Sequence, residues 1–310
     1  MGAAAAVTAV GAAVSRALSD AFVSEALDRQ EPPAIARRRA PGAYSKTEQY
    51  KNARSAAEAL AEKATERVEL TADDGTLLVG HWYPAEDPKR AILAFHGWRS
   101  RWSRDFGASS DFWHDSGCSV LYVEQRAHGE SGGDTIGFGM IERYDCAKWA
   151  WWLIEKVGAE LPIYLGGVSM GATTVMLAAD LPLPPGVHGI IADCGYTSPE
   201  AIWKYVMESN YHLPYALHKK RVDALCREKL ACGADSCSTT ESLANTNIPV
   251  LFIHGKADSF VPVEMSYANY KSCASPKRIL IVNGAEHGLS YLCDRESYEA
   301  AVLDFWREFD

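Results

Sequence analysis

No stretch of this 310-residue chain is basic enough to follow a phosphate backbone. Lysine and arginine total 31 against 40 aspartate and glutamate, the net charge is −9, and the signs are interspersed. With no basic stripe, nucleic acid is not an expected partner. The eight cysteines form no C-x-x-C pair and no cluster with histidine, which removes zinc ribbons and dithiol redox centres. Scattered thiols of this kind read as buried and reduced. Their even count leaves a disulfide open, and Cys232 with Cys237 is the first pair to inspect. Walker and dinucleotide glycine patterns are missing, as is any internal repeat, so no cofactor or metal is expected.

The amino terminus lacks the features of an address. Residues 2–14 are uncharged, but no basic segment precedes them and the run is too short to span a bilayer. Ala6 stands where myristoylation requires serine or threonine. Val7, Val10, Val14, Leu18, Ala21 and Phe22 share one helical face, which predicts an amphipathic helix ending before Glu31-Pro32-Pro33. Packing on the body is the expected role of that helix, with peripheral membrane association as the alternative. The cytoplasm is the expected compartment. Membrane attachment or export would apply if the segment is a shortened anchor or leader.

Forty-seven percent of the residues are hydrophobic, enough for one large core. Residues 31–45 read as a linker and 46–66 as a polar, alanine-rich helix, so residues 1–65 form a helical extension ahead of a domain at 66–310. That domain opens with a hairpin, residues 68–71 and 77–83 around Asp73-Asp74-Gly75. Apolar strand-like runs at 91–95, 119–123, 163–165, 189–192, 250–253 and 278–282 follow. They alternate with helical stretches at 105–114, 140–156 and 172–180, and a closing helix covers 297–309. Such alternation predicts an α/β fold: a mostly parallel central sheet with an antiparallel amino-terminal hairpin and helices on both faces. Residues 197–247 interrupt the rhythm with an aromatic and charged helical stretch that reads as an inserted lid.

The chemistry centres on Gly167-Val168-Ser169-Met170-Gly171, a G-x-S-x-G between a strand and a helix. Small flanking residues allow a strained turn that lifts the serine hydroxyl clear of the sheet, and the helix start leaves the Met170 amide able to donate to an oxyanion. An elbow serine needs a base and an acid to orient it. Of the histidines after Ser169, His287 lies just beyond the last strand, in Ala285-Glu286-His287-Gly288, at the sheet edge where the elbow is. His188 opens a strand and belongs to the opposite edge. His254 reads as a brace for the acid loop, and His212 and His218 belong to the insertion. Asp258, in Gly255-Lys256-Ala257-Asp258, is the expected acid; Asp193 is the runner-up and reads better as a loop brace.

The order Ser169, Asp258, His287, together with His96-Gly97-Trp98 at the end of an earlier strand, resembles the α/β-hydrolase fold, specifically its serine esterase and oligopeptidase-like group. Arg126-Ala127-His128-Gly129-Glu130-Ser131 and Glu142-Arg143-Tyr144-Asp145 add to the likeness, which runs from about Val68 to the end. The resemblance implies a second oxyanion donor at the Trp98 amide, beside that of Met170, and a loop-ordering role for His96. Trp98, Tyr196, Trp203 and Phe260 are the candidate substrate-pocket residues. Trp149, Trp151 and Trp152 read as packing residues, His128 as a turn brace, and His218-Lys219-Lys220-Arg221 as a solvated face of the insertion. The expected activity is hydrolysis of a small carboxylic ester through an acyl-enzyme, with peptidase, arylamidase, thioesterase or acyltransferase chemistry as alternatives on the same triad. A non-catalytic binding protein of this fold is expected to lack at least one of the three residues. Oligomeric state is left open.

Overall fold

A computed structural model describes residues 2–30, 48–63 and 65–310; the expected linker at 31–45 lies outside the described residues. Two helices come first, α1 (Gly2–Leu27) and α2 (Glu48–Glu62). Then follow β1 (Glu66–Thr71), β2 (Leu77–Tyr83), β3 (Arg90–Phe95), α3 (Trp102–Asp115), β4 (Cys118–Glu124), α4 (Glu142–Val157), β5 (Ile163–Val168), α5 (Met170–Ala178) and β6 (Val187–Asp193). The insertion holds α6 (Pro199–Tyr205), a π-helical turn (Val206–Asn210), α7 (Tyr215–Leu230) and α8 (Thr239–Ala244). The chain closes with β7 (Val250–Gly255), α9 (Glu264–Ser272), β8 (Lys277–Val282), α10 (Ser290–Cys293) and α11 (Arg295–Phe309).

The eight strands form one sheet in the order β1-β2-β4-β3-β5-β6-β7-β8. β1 and β2 are antiparallel to their neighbours and all later pairings are parallel. Strands β3, β4 and β7 are buried along their whole length, as strands covered by helices on both faces must be. One apolar layer joins Leu93, Leu121 and Leu165 to Trp149 and Leu153 of α4 and Val175 of α5. The opposite layer joins Ile92, Tyr122 and Ile253 to Trp113 of α3 and Phe305 and Trp306 of α11. In the parallel part of the sheet all strands run the same way, so the loops after β3, β4, β5, β6, β7 and β8 gather at one edge.

Several expectations need correction. The predicted helix at 46–66 stops at Glu62, because β1 already begins at Glu66. Helix α9 carries no clear apolar periodicity and adds to the expected elements. The buried face of α1 is only partly the one periodicity selects: Phe22 is buried, but Val14 and Leu18 are 54% and 39% exposed, and Ser19, Val23, Ala26 and Leu27 are buried beside Phe22. Ser19, Asp20 and Asp28 meet His218, Arg221 and Lys229 of the insertion, so packing there, rather than hydrophobicity alone, sets the face. The side chains of Val7 and Val10 lie outside the described residues.

The basic segment of the insertion is likewise not a solvated face throughout. His218 is buried and its Nδ1 lies 2.9 Å from Ser19 Oγ, Arg221 pairs with Asp20 at 2.7 Å, and Lys219 pairs with Glu200. Trp149 is fully buried, while Trp151 stays on the surface. All eight cysteines are free, so Cys232 and Cys237 are not bridged. Among the described residues, no helix is long and apolar enough to cross a membrane.

Candidate active site

Strand β5 turns directly into α5 at Ser169, whose φ of 56° and ψ of −115° are rare for a residue with a side chain. Such a backbone costs on the order of 1–3 kcal/mol and persists only where its surroundings over-determine it. Here the Ser169 amide donates to Asp193 O at 2.8 Å, and Thr173 N donates to Ser169 O at 3.0 Å. The flanking glycines are steric requirements. A Cβ on Gly171 would come within 1.9 Å of Phe95 O, and one on Gly167 within 2.3 Å of the Gly171 carbonyl carbon.

At the tip of the elbow, Ser169 Oγ lies 2.9 Å from His287 Nε2, and His287 Nδ1 lies 2.6 Å from Asp258 Oδ2. With a carboxylate at Nδ1, the ring proton sits there and Nε2 is left to accept from the serine hydroxyl. Asp258 is buried and held from several sides. Its Oδ1 accepts from Phe260 N at 2.9 Å and Val261 N at 2.8 Å, and its Oδ2 lies 3.2 Å from His254 Nε2. Burial pushes the Asp258 pKa up, but the hydrogen bonds from His254 and His287 outweigh it and keep the group well below the usual carboxylate range. Gly255 explains its place in the motif, since a Cβ there would meet Ala285 O at 2.3 Å. The acid loop and the histidine loop are thus pressed together, and Ala257 N donates to Ala285 O at 2.9 Å.

His254 and Asp193 act as braces. His254 joins Ser266 Oγ at 2.6 Å and Val261 O at 2.9 Å in the acid loop. Asp193 Oδ1 accepts from Ser290 Oγ at 3.2 Å, tying β6 to the segment after His287, and burial raises its pKa to about 6. His188 is far along β6 at the opposite edge, bonded to Phe309 O. The metal-ligating residue types that converge among the described residues are Cys194, Asp258 and His287, with ligand atoms within 4.8 Å of one another. Two of those atoms already bond each other in the relay, and burial holds the Cys194 thiol pKa well above its ordinary value, a poor donor set for a cation.

Facing the elbow is the loop His96-Gly97-Trp98-Arg99. Gly97 lies against the serine, where a Cβ would come within 3.3 Å of Ser169 Cβ. Half-buried Asp105 accepts from Gly97 N at 2.6 Å and from Ser100 Oγ at 2.5 Å. His96 Nδ1 is 2.8 Å from Gly97 O, so that nitrogen donates, and its Nε2 accepts from Gln125 N at 3.2 Å. His128 repeats the arrangement, with Nδ1 donating to Arg126 O at 2.9 Å and Nε2 accepting from Arg99 N at 3.0 Å. Met170 opens α5, so its amide has no intrahelical acceptor and lies beside Ser169.

Both of these histidines must be neutral to accept at Nε2. Burial lowers the His96 pKa to about 4; burial, with nearby His96, lowers that of His128 to about 3. An unfolded imidazole titrates near ~6.5, so below that pH the unfolded chain binds protons that the folded chain refuses. Their contribution is therefore complete above pH ~6.5 and is lost as the pH falls towards the folded values, about 2 kcal/mol per ring by pH ~5. Urea melts at pH ~7.5 and ~5 are expected to show this drop beyond the effect seen in a variant with His128 replaced by glutamine. Identical drops in both proteins would contradict a neutral, buried His128.

Three of the four candidate pocket residues meet around one ring, and the fourth joins them through Trp98. Phe138 has its centroid 5.9 Å from that of Trp98, 6.1 Å from Tyr196 and 5.3 Å from Trp203; Phe260 stacks on Trp98 at 6.4 Å and lies 5.1 Å from His287. Phe138 went unnoticed in the sequence because it sits in an irregular segment, at a φ of 52°. That segment is shaped by the two motifs flanking it. Glu142 accepts from Gly137 N and Gly139 N, and Asp145 holds Arg126 through two bonds of 2.6 and 2.7 Å. Phe22 of α1 adds its edge to Trp203 at 6.4 Å. A cavity of about 550 Å³ opens at the other end of the strands, by Leu181, Pro184, Asn247 and Ile248. Asp180 is its one ionisable lining residue, which suits it poorly to chemistry.

No family model matches the chain. It is 31% identical over 191 residues to the uncharacterized protein YqkD of Bacillus subtilis, a match covering 62% of this chain and 63% of that relative's length. Among solved structures, the esterase Pf2001 of Pyrococcus furiosus superposes with a TM-score of 0.65 at 21% identity, over 79% of this chain and 93% of the esterase. The α/β hydrolase GrgF of Penicillium superposes with a TM-score of 0.61 at 18% identity, over 80% and 99%. Joined to the sheet order and the strand-to-helix elbow, these likenesses establish that the chain has the α/β-hydrolase fold.

Proposed function

We propose that this protein is a serine hydrolase that cleaves carboxylic esters through an acyl-enzyme. The observation that carries the reading is the unbroken relay from Ser169 Oγ through His287 to Asp258, at 2.9 and 2.6 Å, on a strained elbow. Ser169 Oγ attacks the ester carbonyl carbon and its proton passes to His287 Nε2. Asp258 stays ionised and stabilises the imidazolium. The tetrahedral intermediate carries its negative charge towards the amides of Met170 and Trp98. On collapse the carbon–oxygen bond to the alcohol breaks, and His287 returns the proton to the departing alkoxide. Water then repeats the sequence on the acyl-serine and releases the acid. The crowding of Trp98, Phe138 and Phe260 near a serine only 6% exposed supports short or aromatic acyl groups.

The test is a panel of p-nitrophenyl esters of increasing acyl length, set beside aminoacyl-p-nitroanilides and an acyl thioester. A fluorophosphonate label is located by mass spectrometry in parallel. Turnover is expected for the shorter esters, with label on Ser169. Anilide turnover without ester turnover would replace the esterase reading with a peptidase one. Label on another residue would overturn the assignment of the nucleophile.

A further inference from the structure

We propose that the last turns of α1 belong to the active site, and that Arg99 is the positioning residue through which they fix the Trp98 amide as an oxyanion donor. The proposal rests on the hydrolase reading above.

Residue 98 lies between two anchored amides. On one side Gly97 N is held by Asp105, and on the other Arg99 N is held by neutral His128. Arg99 itself has a φ of 50°, a left-handed backbone that an arginine does not adopt without compensation. The compensation comes from α1. The Arg99 guanidinium donates to Glu25 O at 3.2 and 2.7 Å, to Asp28 O at 2.5 Å and to Arg29 O at 3.1 Å. Carbonyls at the end of a helix have no intrahelical donors and carry the negative pole of its dipole. A permanently charged, planar group with five N–H donors matches such a cluster as no other side chain can.

The same helical end also holds the neighbouring indole. Trp98 Nε1 donates to Ala26 O at 2.9 Å, and the Arg99 guanidinium carbon lies 5.3 Å from the Trp98 ring centroid. The Arg99 guanidinium and the Trp98 ring are therefore both referenced to residues 25–29, while the backbone between them is held by Asp105 and His128. Those residues are fixed in turn: Arg29 donates to Ser131 O and Gly129 O, both at 2.7 Å, and Ile136 N donates to Leu27 O at 2.6 Å. Along its flank α1 is joined to the insertion by the Asp28–Lys229 pair at 2.6 Å and by Tyr211, whose hydroxyl donates to Glu25 at 2.5 Å. A peptide group held this way needs no reorganisation when negative charge develops beside it, which is the condition for an effective oxyanion donor.

The test uses the full chain with Arg99→Ala and, should that variant fold poorly, Arg99→Lys, which keeps the charge but not the fork. Rates are referred to the concentration of reactive Ser169 found by fluorophosphonate titration, so that misfolded protein does not count. For Arg99→Ala, kcat on the best ester is expected to fall by about 10- to 100-fold with KM within about twofold, since a donor is misplaced rather than deleted. Affinity for an aryl trifluoromethyl ketone, whose serine adduct bears an oxyanion, is expected to fall by the same factor. Arg99→Lys is expected to lose less than Arg99→Ala and more than nothing. An unchanged kcat per reactive serine in either variant, with wild type active, would overturn this proposal alone. So would a loss of kcat with undiminished ketone affinity. A wild type inactive on the whole substrate panel would overturn the hydrolase reading, and this proposal with it.

Discussion

Replacement of Ser169 by alanine is expected to lower kcat for ester hydrolysis by about a millionfold, to the level left by binding and oxyanion stabilisation. The size of the effect follows from the division of labour at the elbow. In the proposed reaction the hydroxyl oxygen forms the new bond, and without it His287 has no bound group to deprotonate. Little else should change. The serine side chain does not cap α5, and among the described residues its hydroxyl bonds His287 Nε2 alone, so the loss of stability should stay within about 1 kcal/mol. The φ of 56° is imposed by the Gly167 and Gly171 contacts and by the Ser169 backbone bonds, all of which alanine retains. Circular dichroism and the thermal midpoint should therefore match wild type while turnover disappears. Substantial turnover surviving in a variant with unchanged melting would show that another nucleophile does the work.

How legible each part was depends on whether its constraint leaves a mark in residue identity. Gly167, Gly171 and Gly255 stand out in the sequence because a Cβ at each would strike backbone, that of Gly171, Phe95 and Ala285 respectively, which leaves glycine at a fixed place beside a strand end, and Asp258 and His287 follow such ends by a few residues. The alternation of apolar runs likewise reports burial on both faces of the parallel strands, so the sheet could be read in advance. The contribution of α1 could not. Arg99 bonds carbonyl oxygens at residues 25, 28 and 29, and a carbonyl acceptor leaves no trace in residue identity. Periodicity proposed Val14 and Leu18 for the buried side of α1. Contact with the insertion keeps Phe22 of that stripe but buries Ser19 and Val23 in place of Val14 and Leu18, because the neighbour a helix packs on, and not its apolar stripe alone, decides which face is covered. His218 was misjudged for the same reason: its basic neighbours suggest solvent, whereas its position on α7 faces Ser19. Phe138, at the centre of the ring cluster, depends on the loop that Glu142 and Arg126 hold in place, a relation spread over several residues with no fixed spacing.

Asp258→Asn is expected to lower kcat by about 10⁴-fold while leaving the fold intact. The geometry fixes which way the new amide must point. Phe260 N and Val261 N both donate to Oδ1, so the asparagine carbonyl oxygen must occupy that position and its NH₂ must replace Oδ2. There it faces His287 Nδ1, now donor against donor, and the imidazole is driven to the tautomer with its proton on Nε2. That nitrogen can no longer accept from Ser169 Oγ 2.9 Å away, so the base is disabled although every residue remains in position. The NH₂ also confronts His254 Nε2, which retains Val261 O as an acceptor, so the brace can survive the change. Asp193→Asn provides the contrast. Its Oδ1 accepts only the Ser290 hydroxyl among the recorded side-chain partners, and no bond links it to His287, so its effect on kcat should stay below about tenfold. Equal losses in the two variants would mean that the carboxylates act through the local field rather than through the tautomer of His287. A larger loss in Asp193→Asn would reassign the orienting acid.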